Sequence, residues 1–100
     1  MLETEIKVLQ AAADTIDKYG WIRDDRGNVE VGFCTLGAIN FASLQLDISP
    51  LSQENAIQRL RIYLGEGSIA LWNDNGCQDG QMAASVLREA AKSLKERLSV

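Results

Sequence analysis

Histidine is absent from this chain of 100 residues. That absence removes the usual general base, the commonest metal ligand and every Ser-His or Cys-His catalytic pair. Cysteine occurs only as Cys34 and Cys77, too few for a structural zinc set, and in a reducing compartment such a pair is expected to stay as free thiols. The acidic residues lack calcium-loop spacing. Gly65-Glu66-Gly67 lacks the third glycine and the lysine of a phosphate-binding loop. No metal and no cofactor is therefore expected. Long apolar runs are missing too: Gly32 to Ala42 is interrupted by Thr35 and Asn40, far short of the roughly 20 residues a bilayer requires, so no membrane span is expected. Basic charge is in deficit, with 14 acidic against 10 basic residues and a net charge of −4, a balance that disfavours nucleic acid as a partner. Such acidity is first of all the usual solvating charge of a soluble protein, and it also suits docking onto a basic groove in another protein. The opening Met1-Leu2-Glu3-Thr4-Glu5 is acidic where a secretory signal needs positive charge, so the expected location is the cytoplasm.

What is present reads as one folded domain over residues 1–100. The apolar set supplies 46% of residues and charged side chains 24%, ordinary for a globular chain at the usual single-domain length. Leu2, Ile6, Leu9, Ala13 and Ile16 recur at helical spacing, and Gly20 supplies a stop. Trp21-Ile22-Arg23 and Val29-Glu30-Val31 flank the turn formers Asp24 to Asn28, which predicts a short hairpin or structured loop leaning on the helices through Trp21 and Val31. Cys34 to Leu46 is apolar nearly all round, as expected of a central helix packed on several sides, with Leu36, Ile39, Phe41 and Leu44 filling the gaps. Ser49-Pro50 begins a third helix that buries Ala56, Ile57, Leu60, Tyr63 and Leu64 and stops at Gly65. Ile69 to Trp72 reads as one helical turn before the turn formers Asn73 to Gly76. Asp79 caps a closing helix with Met82, Val86, Ala90, Leu94 and Leu98 as its stripe. The expected architecture is mostly α: a compact bundle of about four helices with a short β-hairpin or structured loop between helices 1 and 2. The stripes either close on one another or leave a face, such as that of the last helix, for a homodimer.

The candidate binding residues are Trp21, Cys34, Trp72, Asn73 and Asp74. Cys34 falls in the first turn of a helix, where the dipole favours a thiolate, while its apolar neighbours favour burial as an inert core residue. Trp21 and Trp72 border turns, where they either seal the core or flank a groove. Asn73 and Asp74 either hold their loop by side chain to backbone bonds or face a ligand. Cys77, in a polar loop, is expected to be exposed.

Gly20-Trp21, Cys34-Thr35-Leu36-Gly37-Ala38-Ile39 and Trp72-Asn73-Asp74, followed by the helix from Met82 to Leu98, resemble a family of small uncharacterised proteins found in actinobacteria and their phages. The likeness covers nearly the whole length. Where members often carry Arg-Thr after the Trp-Asn-Asp turn, this chain has Asn75-Gly76-Cys77-Gln78-Asp79. The resemblance implies the helical architecture and no particular reaction. Together with the missing histidine it leads to the expectation of a non-catalytic interaction protein that binds another protein, of a phage-type accessory or anti-defence kind. The alternative is a small-molecule-binding or thiol-dependent enzymatic domain with a pocket near Cys34 and Trp72.

Overall fold

A computed structural model describes residues 2–98. Helix α1 (Leu2–Tyr19) buries Ile6, Leu9, Ala13 and Ile16, with Val8 and Ala12 widening the predicted stripe. It closes at Gly20, whose φ of +99° lets its N–H reach the Ile16 carbonyl at 2.8 Å, a conformation that glycine adopts without steric cost. Helices α2 (Thr35–Gln45), α3 (Pro50–Leu64) and α5 (Gly80–Leu98) all pack on α1, with α5 covering it most extensively. The chain is mostly helical, and the expected hairpin lies between α1 and α2.

The hairpin pairs other residues than those expected. Strand β1 (Gly27–Asn28) runs antiparallel to β2 (Gly32–Phe33), with Gly27 opposite Phe33 and Asn28 opposite Gly32. Val29-Glu30-Val31 forms the turn instead of a strand, because Asn28 Oδ1 accepts the N–H groups of Glu30 and Val31 at 2.9 and 3.1 Å. An Asx turn of this kind pulls the reversal towards itself. Trp21 meets β2 only through a bridge to Phe33. Val31 does not lean on the helices: it is 57% exposed, and Phe33 takes the anchoring role, 5% exposed and 4.9 Å from the Phe41 ring centroid.

The expectation that α2 is covered on several sides also needs correction. Its inner side, Ala38, Ile39 and Ala42, is buried against α1, but Leu44 is 72% exposed and Leu46 is 42% exposed. Leu36 and Phe41 are half-buried. Apolar composition shows that a helix is fit for burial and not that the chain supplies a cover. The turn after α2 sends Asp47 to φ +56° and returns the Ile48 N–H to the Ser43 carbonyl. Then α3 starts as expected, with the Ser49 hydroxyl accepting from Ser52 N–H and Pro50 in the first turn, and it stops at Gly65. Ala56 and Leu60 are its buried residues, whereas Tyr63 reaches water. Arg59 ion-pairs at 3.0 Å with Glu5, a carboxylate buried on α1.

After Gly65 the single turn α4 (Ile69–Leu71), capped by the Ser68 hydroxyl, runs into a π-helical turn over Trp72–Gly76. Asp79 Oδ1 accepts the Met82 N–H at 2.8 Å, as a cap should. The buried face of α5 is Ala83, Ala84, Leu87, Ala90, Ala91 and Leu94. It is rotated from the predicted stripe, leaving Met82 and Leu98 exposed, because alanines at this face let α1 approach closely and larger side chains lie outside it. Among the described residues no helix is long and apolar enough to cross a membrane.

Candidate functional site

The π-helical turn decides where Asn73 points. Its register is set by the Cys77 N–H donating to the Trp72 carbonyl at 2.8 Å, a wider loop than an α-helix makes. Trp72 packs into the core at 8% exposure, and Asn73 turns fully inward at 0%. There the amide ties together three segments distant in sequence. Its Oδ1 accepts from the Trp21 indole Nε1 at 2.7 Å, the Thr35 N–H at 2.9 Å and the Thr35 hydroxyl at 2.6 Å. Its Nδ2 donates to the Ile22 carbonyl and to Asp74 Oδ1, both at 3.1 Å. Both amide hydrogens and the oxygen are thus engaged inside the fold.

Around this hub the loops lock to each other. Asp74 Oδ1 also accepts the Asp24 N–H at 2.9 Å, holding Asp24 at φ +65°. The Asp24 N–H, then the Asn73 amide, stabilise the Asp74 carboxylate and hold its pKa below the ordinary value, since donors to the charged form favour it. Arg23 lies over the Trp21 ring, 4.6 Å from its centroid, and donates from one terminal nitrogen to the Cys77 and Gln78 carbonyls at 2.9 Å each. Trp21 thus has an amide oxygen at its edge and a guanidinium on its face.

Both cysteines are free thiols and both are buried. Cys34 is the N-cap of α2: its Sγ accepts the Gly37 N–H at 3.2 Å, and its own N–H donates to the Arg26 carbonyl. Gly37 has no room for a side chain, since an added Cβ would stand 2.0 Å from the Arg26 carbonyl oxygen. Cys77 corrects the expectation of exposure. It is 2% exposed, its thiol donates to the Asp79 carbonyl at 3.2 Å, and desolvation raises its pKa.

The five predicted residues do not meet in one pocket. Cys34, Asn73 and Asp74 line a cleft of about 350 Å³ with Asp24, Asp25, Arg26, Leu36 and Ala70. Trp21 borders a separate shallow groove of about 550 Å³ between the end of α1 and the start of α5. Trp72 lines neither and belongs to the core. Among the described residues no group of His, Cys, Asp or Glu could hold a metal ion.

The residues missing from the predicted set are Thr35, Arg23 and Asp24. Thr35 had a visible signal, as a polar residue inside an apolar run, and the fold buries it fully. Arg23 and Asp24 had none beyond their place in a turn.

Most of the described fold, including this cleft, lies in a stretch that matches one family model. Residues 1–93 match the family of unknown function DUF6197. The chain belongs to DUF6197. No curated protein and no solved structure matches it. The matched residues cover the hairpin, the Asn73 hub and most of α5, so the site geometry is that of a DUF6197 domain.

Proposed function

We propose that the protein is a non-catalytic interaction protein that binds another protein through the uncovered corner between α2 and α3. The observation carrying this reading is that Leu44 and Leu51, on either side of one tight turn, are each 72% exposed, with Leu46 between them at 42%. Scattered exposed leucines need no explanation, but a group at one corner of an otherwise apolar helix is a feature of interaction sites. The hub residues support the same reading from the other side. The polar groups of Trp21, Thr35 and Asn73 are bonded to one another, and the chain has no histidine to act as a base.

Within this reading the protein is a cytoplasmic factor of a phage-type accessory or anti-defence kind. The support for that finer statement is the resemblance to proteins of actinobacteria and their phages. Paired capture tests it. Wild-type protein and a folded Leu44→Gln/Leu51→Gln variant are immobilised, exposed to lysate of the source cell, and the retained proteins identified by mass spectrometry. A protein held by the wild type and lost by the variant is expected. The same retained set from both, or none from either, overturns the reading.

A second reading rests on the cleft beside Cys34, Asn73 and Asp74: a small-molecule-binding or thiol-dependent enzymatic domain. Rapid iodoacetamide labelling of Cys34 in the native protein at neutral pH would favour it, because only an accessible thiolate reacts. Unmodified Cys34 favours the docking reading.

A further inference from the structure

The chemistry of the partner can be read from the charge around the exposed leucines, an inference that rests on the docking reading above. From residue 27 to residue 58 the chain carries no Lys or Arg, while Glu30, Asp47 and Glu54 lie within that stretch. Two of these acids border the corner directly. Asp47 stands in the turn between Leu46 and Leu51, and Glu54 lies three residues after Leu51, on the same helical face. Among the described residues neither carboxylate makes an ion pair, since Arg59 pairs with Glu5 and Arg88 with Asp14 and Asp17. The negative field belongs to the corner and not to the whole side of α2. One turn before Leu44, Phe41 meets Tyr19, and there the Lys18 ammonium lies 5.2 Å from the Tyr19 ring centroid.

We infer that the α2–α3 corner, Leu44, Leu46 and Leu51 rimmed by Asp47 and Glu54, docks an apolar segment of a partner protein flanked by Lys and Arg. Apolar contact supplies the burial, and complementary charge supplies orientation and a faster encounter. A second copy of this chain is the poorer occupant, because an isologous contact centred on the corner sets Asp47 and Glu54 against their own equivalents.

The test uses the full chain, labelled with nitrogen-15, and two synthetic amphipathic helical peptides of about 18 residues, or five turns. Both carry leucine along one face; one has lysine on the flanks and the other glutamate. The lysine peptide is expected to shift the amide signals of Leu44, Leu46, Asp47 and Leu51 and to bind at least about tenfold more tightly than the glutamate peptide, a margin that shrinks as salt is raised. Asp47→Asn/Glu54→Gln should reduce that margin to about twofold or less while leaving the fold intact, since asparagine tolerates the left-handed conformation at residue 47. Equal affinity of both peptides at the corner overturns the cationic partner but leaves the docking reading standing. Shifts confined to Asp24, Asp25 and Asp74 by the cleft overturn the inference as well. If neither peptide perturbs the corner, both readings fall. A concentration-dependent dimer abolished by Leu44→Gln/Leu51→Gln would make a second copy the occupant and overturn the inference.

Discussion

At its first turn α2 buries polar groups, and at its last it exposes apolar ones. Thr35 is fully buried and gives both its N–H and its hydroxyl to Asn73, whereas Leu44, in the final turn, is 72% exposed. A buried polar group costs little when every bond is made, so the first end is a device for holding three loops in register. An exposed leucine gains nothing from folding. The two ends of one helix therefore separate what the fold needs from what it leaves uncovered.

The largest effect expected from breaking the polar end is at Asn73. Asn73→Ala strands the Trp21 indole N–H, the Thr35 N–H and the Ile22 carbonyl together, and at roughly 1–3 kcal/mol for each unmet group, with some relief by water, a loss of about 4 kcal/mol is expected by urea denaturation. Gly37→Ala should cost about 2–3 kcal/mol in the same assay, the range for overpacking, because its Cβ meets the Arg26 carbonyl, which is backbone and cannot swing away. Next comes the α2 cap. Cys34→Ala should lose about 1 kcal/mol and Cys34→Ser less than half of that, since a hydroxyl accepts the Gly37 N–H at least as well as sulfur does. Rescue by serine but not alanine would show that Cys34 serves as a cap, and lost activity without lost stability would show chemistry instead.

Asp74 gives a pH signature on the same side. Its native pKa lies below the ordinary 3.8, chiefly through the Asp24 N–H. Its contribution is therefore complete above that ordinary value and vanishes as the pH falls through the lower native one. Melting curves of the wild type and Asp74→Asn should differ at neutral pH and converge at the acidic end. At the apolar end the effect should be the smallest: Leu44→Gln/Leu51→Gln is expected to change stability by less than about 0.5 kcal/mol for each substitution, as surface changes do. A much larger loss would mean that the corner is covered in the protein on its own and would erase the contrast between the two ends.

How much of this was legible depended on the range of the signal. The stop at Gly20, the Ser49-Pro50 start of α3 and the Asp79 cap of α5 are read correctly because each depends on neighbours within a turn. The hairpin register was not, since Asn28 competes for the reversal through two side-chain bonds that composition alone does not rank. The face of α5 was misjudged because an alanine surface carries little hydropathy while permitting the closest packing. The Asn73 hub joins residues 38 and 52 positions apart, a separation at which no local pattern exists. Cys77 looked exposed among polar neighbours, but it folds under the segment that Arg23 pins by the Cys77 and Gln78 carbonyls.

The amide of Asn73 also bears on how the molecule opens. Because one side chain holds the segment just after α1, the start of α2 and the π-helical turn, none of the three can peel away without orphaning the others' bonds. Local fraying is thereby suppressed, and these loops should exchange their amide hydrogens in concert with the core, as a single cooperative unit.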